Sequence, residues 1–193
     1  MMLNGQPLPS KEEVEQELWR TKKWETFRRI LKNTILSLIV AAAIAVLIFT
    51  IFFPTHRITS DSMEPTLSRD QLVVCCNWGE PQYGDIIAFY YNNVILVKRI
   101  IGKAGDVINI DGEGNVTRND VPLDEPYVRS LALGESDIKY PFVVPEKQYF
   151  VIGDNREISI DSRSTLIGCV VDEKVIGRVV FRIWKLKDFG LVN

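Results

Sequence analysis

The segment VILVKRIIG, Val94–Gly102, has the composition of a β-strand and carries two adjacent cations among apolar residues. Successive side chains of a strand point to opposite faces, so Lys98 and Arg99 each lie in an otherwise apolar row. The two rows are Val94, Leu96, Lys98 and Ile100, and Ile95, Val97, Arg99 and Ile101. The segment therefore supplies both a predicted strand and, in Lys98, a first candidate functional residue.

Lys98 can act as a base only if the fold buries it. An ammonium group that loses hydration has its pKa lowered from about 10.4, by up to about 3–5 units at complete burial. A neutral amine near pH 7 can accept a proton from a hydroxyl, whereas the guanidinium of Arg99 stays protonated. The alternative is a lysine that reaches solvent from an edge strand. Periodicity alone favours this plainer interpretation, and both stay open here.

Residues 54–193 contain further short apolar segments, separated by turn sequences such as EPQYGD, GKAGD and DGEGN. Their pattern predicts strands and no helix of ten or more residues. The predicted strands are QLVVCCNW, DIIAFYY, VILVKRIIG, DVINI, NVTRN, YFVIG and IGCVVDEKVIGRVVFRIW. Residues 111–147 are rich in turn formers and prolines, which predicts a small β-ribbon or loop excursion. The fold class is therefore mainly β, built from short strands.

Thr34–Phe53, TILSLIVAAAIAVLIFTIFF, is a run of twenty residues without a charge. At about 1.5 Å rise per residue, a helix of this length spans roughly 30 Å, the hydrocarbon thickness of a bilayer. A buried core helix would normally show a polar stripe. A cleaved signal peptide would have a shorter apolar region and an A-x-A-like exit, whereas FFPTHRIT follows here. We therefore predict an uncleaved transmembrane anchor over residues 34–53.

The segment before the anchor, WRTKKWETFRRILKN, carries six cations and one acid. By the positive-inside rule, residues 1–33 are cytoplasmic and residues 54–193 lie outside the cytoplasm. Aromatic residues between the cations are compatible with an interfacial helix on the inner leaflet, and equally with a solvated extension of the anchor. Ser62 lies nine residues after the anchor. An extended tether at about 3.3–3.6 Å per residue therefore keeps it within roughly 30 Å of the bilayer.

The 193-residue chain is long enough for one ordinary domain plus an anchor. Its net charge of −2 speaks against the broad basic surface of a nucleic-acid-binding protein, so we predict no such partner. Three cysteines, Cys75, Cys76 and Cys169, do not make a disulfide framework. The first two are predicted to be small buried residues of a strand. With one histidine, His56, and no metal-binding spacing, we expect neither a metal nor a cofactor.

Two further segments carry candidate chemistry. ITSDSMEPTL, Ile58–Leu67, places Ser60 and Ser62 next to the anchor, with the only histidine of the chain six residues before Ser62. YFVIGDNREISIDSRS, residues 149–164, predicts a strand that runs into a turn and a dense polar patch. In it, Asp161 and Arg163 could form a charge-assisted pair in an extended chain. Taken alone, this patch is more typical of a surface loop with a structural ion pair.

Together, ITSDSMEPTL, VKRIIGKAGDVI and VIGDNREISIDSRS resemble the sequence boxes of bacterial type I signal peptidases, also called leader peptidases. The family patterns are approximately SGxSMxPTL, KRxxGxPGD and GDNRxxSxDSR, in this order after an N-terminal anchor. By this resemblance, Ser62 is the nucleophile and Lys98 its general base, a dyad that needs no histidine. Ser60 matches the position whose hydroxyl, with the Ser62 backbone N–H, forms the oxyanion hole in some members.

The resemblance also assigns supporting residues. Ser159 matches the serine that orients the lysine amine. Asp161 and Arg163 match the pair that braces this region. Met63 and Pro65 shape the nucleophile turn and are candidates for substrate binding.

Three features depart from the family pattern. Asp61 stands where many members have glycine, and an acid beside the nucleophile would favour protonated Lys98 if it pointed inward; we expect it to point outward. Ala104 replaces a proline, which costs turn rigidity and nothing catalytic. The excursion over residues 111–147 is short, as in compact members with one anchor.

The resemblance implies an antiparallel β-sheet domain with a hydrophobic surface touching the outer leaflet. It also implies endoproteolysis of secretory preproteins after a small-x-small motif, through an acyl-enzyme. Implied partners are signal-peptide-bearing preproteins and membrane lipid, with proximity to the secretion translocon. The self-cleaving repressors use a similar dyad, but they carry a DNA-binding domain where this chain has an anchor. A membrane-tethered β-module without catalysis is the alternative from another class, although binding alone needs no lysine in an apolar row.

Overall fold

The computed structural model describes residues 2–3, 6–7, 10–184 and 188–192. The chain divides into two compact units, Met1–Phe49 and Thr50–Asn193. Near the N-terminus, strands β1 (Met2–Leu3) and β2 (Gln6–Pro7) form an antiparallel pair.

A 42-residue helix, α1 (Lys11–Phe52), follows. It begins with a capping box: the Ser10 hydroxyl accepts from the Glu13 N–H at 3.2 Å, and the Glu13 carboxylate accepts from the Ser10 N–H at 2.8 Å. The helix ends just before Pro54, since a residue preceding proline disfavours helical geometry. None of its side chains is buried, and it is long and apolar enough to cross a membrane. The basic flank and the predicted anchor are one uninterrupted helix.

The second unit contains an eight-stranded sheet in which every neighbouring pair is antiparallel. Its strands are β3 (Thr55–Arg57), β4 (Leu72–Cys76), β5 (Ile86–Tyr91), β6 (Val94–Lys103), β11 (Gln148–Ile152), β12 (Val170–Val171), β13 (Val175–Trp184) and β14 (Gly190–Leu191). The order is β12–β11–β6–β5–β13–β4–β3, with β14 beside β13.

A second, four-stranded antiparallel sheet is inserted between β6 and β11 of the first. Its strands are β7 (Val107–Ile110), β8 (Val116–Arg118), β9 (Val121–Pro122) and β10 (Phe142–Val143), in the order β10–β7–β8–β9. The predicted excursion over residues 111–147 contains β8, β9 and β10, whereas β7 precedes it. The mainly β, antiparallel fold is confirmed.

Strand β6 lies inside the larger sheet, between β5 and β11. Lys98 is in register with Ile87 of β5, and pairing with β11 starts one residue later, at Arg99. Both cations are 3% exposed. The plainer interpretation of the sequence, in which Lys98 reaches solvent from an edge strand, is therefore wrong.

The strand predictions are confirmed for the longer apolar segments and wrong in two respects. The run from residue 167 to 184 is not one strand, because Asp172–Lys174 form a 3₁₀ turn between β12 and β13. Within residues 54–193, four strands of two or three residues were not predicted, since so short an element shows no alternation. They are β3, β9, β10 and β14.

One hydrophobic core cluster of the larger sheet includes residues on both sides of Ser62 in the sequence. It contains Ile58, Met63, Leu67, Val73, Cys75, Ile86, Ala88 and Val179. Cys75 is fully buried as predicted, whereas Cys76, the next residue along β4, is only half-buried because it lies on the other face. Burial raises the pKa of Cys75 to about 12, so this thiol is an inert core residue.

Candidate active site

Ser62 lies in a short turn between β3 and β4, where the backbone is anchored on both sides. The N–H of Glu64 donates to the carbonyl of Asp61 at 3.2 Å, and that of Leu67 donates to Met63 at 2.8 Å. The Ser62 carbonyl accepts from the backbone N–H of Asn155 at 3.1 Å. This last bond ties the serine turn to the polar loop that follows β11.

The structure brings Ser62 and Lys98 into direct contact. Lys98 Nζ lies 2.5 Å from Ser62 Oγ, and the two residues are 3% and 6% exposed respectively. Burial lowers the pKa of Lys98 from 10.5 to about 8, and the nearby charge of Arg163 adds to the decrease. Asp161 and Asp154 act in the opposite direction. A hydroxyl and an amine so placed can exchange a proton near neutral pH.

Ser60 lies beside Ser62. Its hydroxyl oxygen is 3.0 Å from Ser62 Oγ. The two residues are two positions apart in the same turn. Ser60 is therefore available as a donor to an oxygen that develops charge next to Ser62.

Asp161 and Arg163 form a buried, bidentate ion pair. Arg163 Nε donates to Asp161 Oδ1 at 2.8 Å, and Nη2 donates to Oδ2 at 2.9 Å. Both side chains are at most 1% exposed. Asp161 Oδ2 also accepts from the Gly153 N–H at 2.9 Å. The pair is structural, as the sequence indicated, but it lies in the interior and not in a surface loop.

Ser159 lies next to this pair. Its hydroxyl donates to Asp161 Oδ2 at 2.7 Å, and among the described residues no hydrogen bond joins it to the Lys98 amine. The hydroxyl proton is committed to the carboxylate, while the oxygen can still accept. Orientation of Lys98 by Ser159 therefore stays a prediction.

A second buried pair, Arg99 and Asp154, was not identified from the sequence. Arg99 Nε and Nη2 donate to the two carboxylate oxygens of Asp154 at 2.9 and 2.7 Å. The Thr66 hydroxyl donates to the same carboxylate at 2.5 Å. The pair joins β6, the strand that carries Lys98, to the polar loop after β11. The Asn155 N–H of this loop bonds the Ser62 carbonyl. The signal of the pair was Arg99 in an apolar row, because a buried guanidinium requires a partner.

Gly153 allows the polar loop to pass close to Ser62. A Cβ atom at this position would overlap the Ser159 hydroxyl and lie 2.5 Å from the Ser62 carbonyl oxygen. Only a residue without a side chain fits there.

The remaining predicted residues are placed as follows. Asp61 points away from the dyad, since its carboxylate bonds Arg69 at 3.0 Å on the surface. This confirms the expected outward orientation. Met63 is 1% exposed in the core below Ser62, where it supports the turn. Pro65 lines an open pocket of about 580 Å³ beside the turn, together with Asn155 and Glu157. Substrate binding by Met63 and Pro65 stays a prediction.

His56 offers no alternative base in this arrangement. It lies in β3, and its buried Nε2 atom has no hydrogen-bond partner among the described residues. Burial lowers the pKa of His56. Among the residues that the structure describes, no group of three or more His, Cys, Asp or Glu side chains could hold a metal ion.

Comparison with known proteins gives consistent matches. The family model described as "Signal peptidase, peptidase S26" matches residues 31–184. "Probable signal peptidase I-2" of Synechocystis sp. is 34% identical over 169 residues, which cover 81% of this chain and 75% of the relative. "Signal peptidase IB" of Staphylococcus aureus is 31% identical over 183 residues, which cover 82% and 94%. A solved signal peptidase I from Enterococcus faecalis is 32% identical and covers 52% of this chain and 97% of its own, with a TM-score of 0.44.

Proposed function

Because the chain belongs to the signal peptidase family, peptidase S26, we propose that Ser62 and Lys98 are the catalytic dyad with which it removes N-terminal signal peptides from exported preproteins. The chain is a membrane-anchored serine endopeptidase of this family. The observation that carries the residue assignment is the 2.5 Å contact between the buried Lys98 amine and the Ser62 hydroxyl.

The first step is activation of Ser62. In its neutral form, the Lys98 amine accepts the hydroxyl proton as Ser62 Oγ attacks the scissile carbonyl carbon. Burial supplies this form, because the lowered pKa of Lys98, about 8, leaves roughly a tenth of the amines neutral at pH 7. The base needs no carboxylate partner of its own.

The attack produces a tetrahedral intermediate with a negatively charged oxygen. The Ser60 hydroxyl and the Ser62 backbone N–H are the proposed donors to this oxygen. The intermediate collapses when the protonated Lys98 gives its proton to the leaving amine of the mature chain. The signal peptide is then held as an ester on Ser62. A water deprotonated by the regenerated amine hydrolyses that ester.

Two further residue roles are proposed. Ser159 and the Asp161–Arg163 pair hold the loop whose Asn155 N–H bonds the Ser62 carbonyl. Met63 packs under the turn, and Pro65 forms part of the wall that a bound preprotein would touch. Small side chains at the first and third positions before the cleaved bond are the expected substrate preference.

The proposed topology is a single-pass arrangement with residues 1–33 in the cytoplasm, an anchor over residues 34–53, and a peptidase domain of residues 54–193 outside. The supporting observation is the six cations and one acid between residues 19 and 33. The proposed partners are preproteins and membrane lipid, with the secretion translocon nearby, because substrates emerge from the membrane at that place. No nucleic acid is expected.

Cleavage of a preprotein by the full chain in detergent tests the dyad. Ser62→Ala and Lys98→Ala should each abolish processing, while Lys103→Ala, which removes another lysine of β6, should leave it largely intact. Folding of each variant is checked by its near-ultraviolet circular dichroism. Processing by a folded Ser62→Ala or Lys98→Ala variant would remove the assignment and leave the tethered, non-catalytic module as the alternative.

A further inference from the structure

Residues Glu125–Gly134, here called the strap, connect β9 to β10 and belong to the insertion that carries the second sheet. Sequence reasoning gave this segment no functional role. In the structure, the strap contacts three buried arginines, here called the arginine cluster. The cluster consists of Arg99, Arg156 and Arg163, each at most 3% exposed.

Glu125 binds Arg156, one of the three arginines of the cluster. Its carboxylate accepts from Arg156 Nη2 at 2.6 Å, with the two side chains 4% and 1% exposed. Arg156 Nε in turn donates to the Gly153 carbonyl at 3.2 Å. Gly153 is the residue packed against the carbonyl of Ser62. Three contacts, through Arg156 and Gly153, thus connect Glu125 to the backbone of the proposed nucleophile.

Tyr127 holds the second arginine. The guanidinium carbon of Arg99 lies 3.9 Å from the centre of the Tyr127 ring, a cation–π contact. The Tyr127 hydroxyl donates to Glu125 at 2.9 Å. Arg99 follows Lys98 in β6 and binds Asp154. The ring therefore covers the residue that neighbours the proposed base.

The backbone of the strap holds the third arginine. Arg163 Nη1 donates to the carbonyl of Leu133 at 2.7 Å and to that of Ala132 at 3.3 Å. Gly134 has φ +64°, and a Cβ atom there would overlap the Arg156 carbonyl oxygen. Glycine at this position lets the strap approach both arginines.

The charges of this region are matched one to one. Arg99 pairs with Asp154, Arg163 with Asp161, and Arg156 with Glu125. Two of the three carboxylates come from the loop after β11, and the third comes from the strap. Lys98 is the fourth buried cation among the described residues, and its hydrogen bond goes to Ser62.

We propose that Glu125 and Tyr127 are positioning residues for the Ser62–Lys98 dyad, through which the inserted second sheet holds the catalytic residues of the first sheet in register. The proposal rests on the function proposed above. Glu125 acts through Arg156 and Gly153, and Tyr127 acts through Arg99. Substitution of either residue should displace the Ser62 and Lys98 side chains without removing any contact to the substrate.

Two pairs of variants test the proposal, each with a matched control. Glu125→Gln is compared with Asp124→Asn, which neutralises the exposed neighbouring acid. Tyr127→Leu is compared with Tyr83→Leu, since the Tyr83 ring lies equally close to Arg118, 3.9 Å, in another part of the unit. We expect kcat for a preprotein to fall about 10- to 100-fold in the first member of each pair and less than threefold in the controls. Tyr127→Phe keeps the ring and should lose about threefold or less.

The titration of the Lys98 amine distinguishes positioning from general stability. It is followed by carbon-13 NMR of lysine-labelled full chain, with Lys98→Met to assign the signal, so it needs no substrate. The charged groups around this amine are Asp161, Arg163 and Asp154. Glu125→Gln leaves the arginine cluster with one excess positive charge, so the midpoint should move to lower pH by about half a unit. Asp124→Asn should leave it in place.

Each outcome decides the question. A lower kcat together with a shifted midpoint supports the proposal. A lower kcat with an unshifted midpoint and a lower thermal unfolding temperature means that the strap only stabilises the fold. Unchanged kcat and midpoint also overturn it. If the unmodified chain cleaves no preprotein, the proposed function fails, and the NMR midpoint still decides whether the strap controls the Lys98 environment.

Discussion

Lys98 and Arg99 are consecutive residues of one strand and are equally buried, but their cationic side chains have different partners in the fold. Arg99 and the other two residues of the arginine cluster each receive a carboxylate at 2.6–2.9 Å. Lys98 receives a hydroxyl, Ser62. A buried cation with an acid partner stays ionised and braces the structure, whereas a buried amine beside a hydroxyl gives up its proton more readily. One side of the site is thereby braced by ion pairs, and the other is the proposed reactive side.

The largest effect is expected when Lys98 of the dyad is replaced by arginine, the residue type of the arginine cluster. Lys98→Arg retains a positive charge but removes the titratable amine, because guanidinium stays protonated at any accessible pH. Processing of a preprotein should fall by about 10³-fold or more, since a general base contributes typically 10²–10⁴-fold. Ser62→Ala provides the floor of the assay. Activity of Lys98→Arg well above that floor would show that proton transfer to residue 98 is not required.

The next largest effect is expected when one ion pair of the arginine cluster is broken. Asp161→Asn leaves the Arg163 charge buried and uncompensated, which should reduce the free energy of unfolding by about 3–5 kcal/mol. Asp61→Asn breaks an ion pair of similar distance, 3.0 Å, whose side chains are 57% and 37% exposed. That loss should be at most about 1 kcal/mol. Denaturant unfolding in detergent measures both, and equal losses would contradict the distinction between a buried and an exposed pair.

A backbone change tests how closely the two sides must approach. Gly153→Ala places a methyl group against the Ser62 carbonyl and the Ser159 hydroxyl. Displacement of the nucleophile by about 1 Å can cost 10²-fold, so kcat should fall by about that factor. Gly112→Ala is the control, because its Cβ would meet nothing within 4 Å. If the two variants have the same kcat, the loop does not set the position of Ser62.

The sequence predicted the reactive side of the site better than the bracing side. Alternation in β6 placed Lys98 in an apolar row, and the three motifs supplied Ser62. The same alternation marked Arg99, but its partner Asp154 lies 55 residues away in the chain and no local pattern connects them. Glu125 and Tyr127 are in a segment whose composition predicted a small β-ribbon or loop excursion and no functional role. Pairing between distant loops depends on the packed fold. The spacing of residues along the sequence does not indicate which of them will pair.

The pH dependence is a smaller effect than these, and it separates the two sides without any substitution in the site. A guanidinium group stays protonated at any accessible pH, whereas Lys98 titrates with a pKa of about 8, lowered by burial. The active form is the neutral amine, so activity rises with pH: about a tenth of the amines are neutral at pH 7 and about nine tenths at pH 9. The rate constant kcat/KM should therefore increase about tenfold across this interval, with its midpoint near 8. His56→Asn is the control, since burial lowers the pKa of His56 from 6.5, away from this interval. A profile that is flat between pH 7 and 9, or a midpoint that moves in His56→Asn, would mean that some other group is the base.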